Sequence, residues 1–265
     1  MFSGVVMASV SLGLTFWRPE GFNFLVLLAA AIMSWEWSKI IHTGVPGLQS
    51  KMAMGLQIGS VIGAILVFIG VGPAYGLGVL LIGAIILLVL AQPGLGALAF
   101  LGPFYTGLPA VSLIWLRGDP DYGVAVIIFI FLVVWMADIA AYAVGRTVGG
   151  PKLSPRISPN KTWSGGLGGL MGSAIVGMLT ANYLGNSSIL YLGLVALVLA
   201  VASQIGDLYE SSIKRRFGVK DSSHLIPGHG GILDRVDGLI VTACLAALIA
   251  LFVNPALPGR AILIW

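Results

Sequence analysis

The chain is a succession of long apolar runs separated by short polar breaks. Nine such runs can be drawn, at roughly 2–17, 22–41, 53–71, 75–91, 95–116, 122–145, 165–184, 188–206 and 238–254. Most approach the ~20 residues that an α-helix needs to cross a bilayer. The pattern predicts an all-α, polytopic integral membrane bundle of about nine transmembrane helices. The first run, Met1–Trp17, lacks the basic start of a signal peptide and reads as a short first span. Tight turns are expected at Gly72-Pro73 and Pro93-Gly94. Glycines at 165/169 and 168/172 have the small-xxx-small spacing that lets helices approach closely. By organisation, 1–120 reads as a scaffold of N-terminal transmembrane helices. Residues 121–265 read as a C-terminal transmembrane catalytic region with cytoplasmic loops 146–164 and 210–237.

Composition removes the main competitor to this reading. Only 9% of the 265 residues are charged and 58% are hydrophobic, whereas soluble domains carry about 25% charged residues. The single cysteine, Cys244, can form no intrachain disulfide. The net charge of +4 matters less than where the charges fall. Eleven of the fourteen basic residues lie between spans two and three, six and seven, or eight and nine: Lys39, Lys51, Arg146, Lys152, Arg156, Lys161, Lys214, Arg215, Arg216, Lys220 and Arg235. Only Arg18, Arg117 and Arg260 fall on the other side. The positive-inside rule then places the N-terminus and the basic loops in the cytoplasm.

Candidate chemistry concentrates in Ser203–Gly238, which holds five of the ten acidic residues, five of the fourteen basic ones and two of the three histidines. Ser203, Asp207, Glu210, Ser211 and Lys214 fall on one helical stripe that starts inside an apolar run. An acid at that depth is costly against lipid and is expected to face the bundle interior. Gly218 reads as the end of that helix. Gly228, Gly230 and Gly231 follow, and their backbone N–H groups could form a nest for phosphate oxygens. Asp234 and Asp237 share a face at the start of the last span. Mg²⁺ takes one or two carboxylates together with phosphate oxygens and water, so Asp207 and Asp234 are candidate metal ligands. Lys214, Arg215, Lys220 and Arg235 would hold the remaining phosphate charge. Upstream, Asp138, Tyr142 and Arg146 share a face of span six, and Glu36 sits between two tryptophans in span two, where a structural role is favoured.

These residues carry a resemblance. Ser211-x-Ile213-Lys214-Arg215, Lys220-Asp221, Ser223 and Ile226-Pro227-x-His229-Gly230-Gly231-Ile232-x-Asp234-Arg235-Val236-Asp237 resemble the full signature of phosphatidate cytidylyltransferases, also called CDP-diacylglycerol synthases. The block Ser203–Ser211, Asp138 with Ala141-Tyr142 and Gly145-Arg146, and Ser158-Pro159-x-Lys161-Thr162 are similar to three further family blocks. The resemblance implies transfer of the cytidylyl group from CTP to phosphatidate, giving CDP-diacylglycerol and pyrophosphate at the cytoplasmic face of a bacterial inner membrane. It implies Mg²⁺ on Asp207 and Asp234, with K⁺ in a paired-cation site whose ligands it does not identify. Asp207, Lys214, Arg215, Lys220, Asp221, Asp234, Arg235 and Asp237 would be catalytic. Arg146, Ser158, Lys161, Thr162, His229, Gly230 and Gly231 would bind substrate. The expected partners are CTP, phosphatidate, the lipid bilayer and a second copy in a homodimer, with no nucleic acid. The chain departs from the family at Ser164, where Glu is usual, and at Gly238, where Ser is common. Two competing readings stay open: a CTP-dependent lipid or polyprenol kinase, which would release CDP, and a transporter with an intramembrane acid pair.

Overall fold

The structure is a computed structural model that describes residues 13, 15, 16, 18–45, 47–185, 188–226, 228 and 230–264. The expected first span, 2–17, lies outside the described residues except at 13, 15 and 16. Among the described residues the helices are α1 (Pro19–Ile41), α2 (Leu48–Gly70), α3 (Pro73–Leu90), α4 (Gly96–Arg117), α5 (Gly123–Thr147), α6 (Trp163–Tyr183), α7 (Ile189–Arg216), α8 (Leu233–Val253) and the short α9 (Pro258–Leu263). The first eight are long and apolar enough to cross a membrane, which bears out the all-α polytopic reading. Prolines open α1, α3 and α9, where the missing N–H costs nothing. Pro103 and Pro109 lie inside α4, as membrane helices tolerate.

Several helices run beyond the apolar segments that predicted them, among them α2, which starts at Leu48 rather than 53. α7 continues from the expected limit at 206 to Arg216, and α8 starts at Leu233 rather than 238. Hydropathy stops where charge begins, but backbone hydrogen bonding does not. The sequence reading also treated 146–164 as a plain loop. It contains a hairpin of β1 (Lys152–Ser154) and β2 (Ser158–Thr162), with Lys152 opposite Thr162 and Ser154 opposite Ser158. Strands of three and five residues, one containing a proline, leave no periodic signal.

The described residues form two compact units, Met1–Ile114 with Lys214–Val236, and Trp115–Ile213 with Asp237–Trp265. Residues 214–236 thus group with the N-terminal helices. In the first unit, polar groups tie α1 to its neighbours. Trp37 is fully buried, donates Nε1–H to the Leu98 carbonyl at 3.2 Å and lies 4.7 Å from the Tyr105 ring. Ser34 and Thr106 share a hydroxyl contact of 2.8 Å, and Ser38 donates to Gln57 at 2.9 Å. Each bond satisfies a group that lipid would leave unpaired.

In the second unit, α6 lies directly on α5. A Cβ at Gly165 would come 2.7 Å from the Ala141 carbonyl, and one at Gly169 would come 2.6 Å from that of Ala137. The glycine spacing read from the sequence is therefore a packing face. Asp119, only 3% exposed, accepts the N–H groups of Asp121 and Tyr122 with one oxygen. Its other oxygen accepts those of Gly259 and Arg260, which fixes α9 to the start of α5.

Candidate active site

The second unit contains a cavity of about 500 Å³ lined from α5, the hairpin, α6 and α7. Thr162 builds its edge. The Thr162 hydroxyl accepts the Gly165 N–H at 3.1 Å and caps α6, an interaction worth about 1 kcal/mol in typical helices. This capping carries the preceding residue, Lys161, over the cavity, where it forms an ion pair with Asp207 of α7. The pair is partly open, with side-chain exposures of 31% and 25%. Ser211, one turn along α7, also donates its hydroxyl to Asp207, at 3.4 Å. Arg146 and Lys152 add two more cations to the wall, and Asp138, Tyr142, Asn160 and Gln204 add to its polar lining. Arg146 donates to the Tyr142 hydroxyl at 2.5 Å. Gln204 is held by the Gly166 carbonyl at 2.9 Å. Three cations around a partly solvated carboxylate suit a phosphate group and a hard cation.

The first unit holds a different arrangement. α7 ends in a glycine stop: Gly218 has φ +69°, its N–H donates to Arg215 O, and the Val219 N–H donates to Lys214 O. Both bonds are those of a Schellman cap. The chain then turns back so that Lys214 donates to Asp234 Oδ1 at 2.5 Å. Asp234 Oδ2 accepts the Ser222 N–H, the Ser222 hydroxyl and the Gly231 N–H, each at 2.8 Å. The side chains of Lys214 and Asp234 are only 11% and 5% exposed. Gly230 has φ +78°, and a Cβ there would press on Asp234 Oδ2 at 2.5 Å. Only glycine meets both demands.

Glu36, from near the end of the sequence's second apolar run, enters this turn with zero exposure. Its Oε1 accepts the Ser223 hydroxyl at 2.6 Å and the Ile232 N–H at 3.0 Å, and its Oε2 accepts the Leu233 N–H at 2.7 Å. The sequence reading gave Glu36 a structural role but not this one. A flanking tryptophan pair says nothing about a partner almost two hundred positions away. Ser222 was also missed, because a serine in a polar loop carries no signal until its neighbours are known.

The structure thus gathers Arg146, Lys161, Thr162 and Asp207 at one cavity, and Lys214, Gly230, Gly231 and Asp234 at one turn. Ser158 is on β2 opposite Ser154 and does not line the cavity. Arg215, Lys220, Asp221 and Arg235 are exposed around the turn. Asp237 sits in the first turns of α8 and accepts the Gly238 N–H at 2.7 Å. His229 lies outside the described residues. Of the expected phosphate nest, the Gly231 N–H is already given to Asp234, and the next two N–H groups, of Ile232 and Leu233, go to Glu36. Ser164, at the position where the family usually has an acid, donates to the Gly149 carbonyl and closes the hairpin's base. Gly238 packs on Ser203, whose hydroxyl a Cβ would strike.

No three His, Cys, Asp or Glu side chains cluster as a ready metal cage among the described residues. Mg²⁺ does not require one, since substrate phosphates and water fill most of its sphere. Asp207 on a partly open cavity wall, and Asp234 Oδ1 with Lys214 as its hydrogen-bond donor, are oxygen donors of the type that fits it.

Similarity to known proteins agrees with this chemistry. The sequence model of the Cytidylyltransferase family matches residues 1–253. A protein named phosphatidate cytidylyltransferase from Brucella suis biovar 1 is 40% identical over 260 residues, covering 98% of this chain and 95% of its own length. One of the same name from Brucella abortus biovar 1 is 40% identical over 256 residues, covering 96% and 94%. A third, from Staphylococcus haemolyticus, is 46% identical over 137 residues, covering 51% and 52%. The chain belongs to the cytidylyltransferase family.

Proposed function

We propose that this chain transfers the cytidylyl group of CTP to phosphatidate, producing CDP-diacylglycerol and pyrophosphate at the cytoplasmic face of a bacterial inner membrane. The observation that carries the reading is the cationic cavity of the second unit, which Arg146, Lys152 and Lys161 line together with Asp207, the partner of Lys161, in a membrane-spanning member of a cytidylyltransferase family.

The residues divide the work by charge. Arg146, Lys152 and Lys161 bind the phosphate of phosphatidate while the acyl chains remain among apolar helices. That phosphate is a monoester and already anionic, so no strong general base is needed. One of its oxygens attacks the α-phosphorus of CTP, a new P–O bond forms, and the bond from the α-phosphorus to the bridging oxygen breaks. Pyrophosphate leaves with the electron pair, and Lys214, Arg215, Lys220 and Arg235 offset its charge. Asp207 and Asp234 are retained as the candidate carboxylates for Mg²⁺. When bound, Mg²⁺ neutralises phosphate charge. K⁺ is retained as a second cation without assigned ligands.

The test is direct. Purified protein in detergent is incubated with labelled CTP, phosphatidate and Mg²⁺, and the lipid and nucleotide products are separated. Labelled CDP-diacylglycerol with free pyrophosphate supports the reading. Release of CDP with a phosphorylated lipid would make the chain a kinase and overturn it.

A further inference from the structure

The start of α8 lacks what a helix start normally has. Asp234 reaches back three residues to the Gly231 N–H, which is one half of a capping box. The other half requires a side-chain acceptor at the capping residue, and Gly231 has none. Glu36 supplies it from α1. Its two oxygens take the Ile232 and Leu233 N–H groups and the Ser223 hydroxyl. Residue 231 must be glycine for this to happen, because a Cβ there would collide with Glu36 Oε1 and the Ser222 hydroxyl. Ser222 is itself one of the groups that orient Asp234. Glu36 and Asp234 therefore hold the two sides of one turn and share its six donors, apart from the Lys214 ammonium.

We infer that Glu36 is a positioning residue for the reaction: it supplies, from another helix, the missing N-cap of α8 and thereby fixes the orientation of Asp234 and Lys214. A bland packing role explains the burial of Glu36 but not why each described donor it accepts belongs to the segment that also holds Asp234. The inference rests on the functional reading above. It also predicts a property independent of turnover, namely slow exchange of the Ile232 and Leu233 amide hydrogens.

The test compares the unaltered chain with Glu36→Gln, Glu36→Asp and Ser223→Ala in detergent. It measures amide hydrogen exchange across 221–236, thermal unfolding, and kcat and KM for CTP and phosphatidate. Glu36→Gln replaces one acceptor oxygen with an N–H₂ group that faces donors. Loss of hydrogen bonds to a buried charged group predicts roughly tenfold to hundredfold faster exchange at 232 and 233 and a similar fall in kcat. The KM for phosphatidate, whose binding is assigned to the other unit, stays within about twofold. Glu36→Asp recovers part of the kcat, and Ser223→Ala, which keeps both amide acceptors, shows a smaller loss. Wild-type exchange and kinetics in Glu36→Gln would overturn the inference. So would a lowered unfolding temperature with kcat unchanged in the folded fraction, because that is a merely structural role. An unaltered chain that makes no CDP-diacylglycerol would instead overturn the functional reading, and the reaction role of Glu36 with it.

Discussion

Among the described residues, both units contain a buried or half-buried lysine–aspartate pair, and these two pairs are built for different purposes. Lys214 and Asp234 are almost fully buried, and the aspartate accepts three further hydrogen bonds. Lys161 and Asp207 stand at a cavity with about a quarter to a third of each side chain open. Removing one member of a buried pair leaves a charge with no solvent to stabilise it, whereas an open pair contributes little to stability. The buried pair is therefore part of the fold as well as of the proposed site. The open pair can exchange a partner for an incoming phosphate without unfolding anything.

The largest effect should come from breaking the buried pair. Asp234→Ala removes the carboxylate beside the buried Lys214 ammonium and leaves three donors unpaired, and is expected to cost about 3–5 kcal/mol in stability. Thermal unfolding in detergent would register it, and activity should be lost with it. Asp207→Asn should separate the two pairs most clearly. Stability should change by less than about 1 kcal/mol, while kcat should fall by roughly 10²–10³-fold, as when one charge-stabilising group is removed from other enzymes. If Asp207→Asn kept most of the Mg²⁺-dependent activity, its assignment to the metal would be lost. Gly169→Leu tests the α5–α6 packing behind the lining residues Ala137, Ala141 and Gln204 rather than the cavity's charges. Overpacking against the Ala137 carbonyl should cost about 1–3 kcal/mol and close the cavity, visible as parallel losses in unfolding temperature and activity. The smallest effect is expected for Lys152→Ala on the exposed hairpin. It should raise the KM for phosphatidate by roughly twofold to fivefold, the size of one exposed charge contact, with unfolding unchanged.

Much of this was legible before any coordinates. Asp207 announced itself because an acid in an apolar run needs a reason, and the Gly165/169 and 168/172 spacings announced a packing face for the same kind of reason. Gly218 was readable as a helix stop because left-handed backbone favours glycine. What could not be read were pairings across long sequence separations. Nothing near Lys161 names Asp207 as its partner, and nothing near Trp35-Glu36-Trp37 points to residues 223, 232 and 233. The glycine spacing of the expected phosphate nest gave no sign that the Gly231 N–H is taken by Asp234. Backbone conformation follows from glycine positions, but what the amides face depends on which other helix is adjacent.

By itself, then, the sequence determined the membrane-spanning helical class, the eight described spans to within a few residues at most ends, and the set of polar residues that must carry chemistry. Those properties follow from local composition: transfer of an apolar run into lipid, and the cost of a charge within it, depend on the residues in the run. The tertiary structure alone decided how the charges are partnered, which lysine is buried and which is open, and why position 231 must be glycine. Those follow from distance and desolvation between segments far apart in the chain, and no local pattern encodes either quantity.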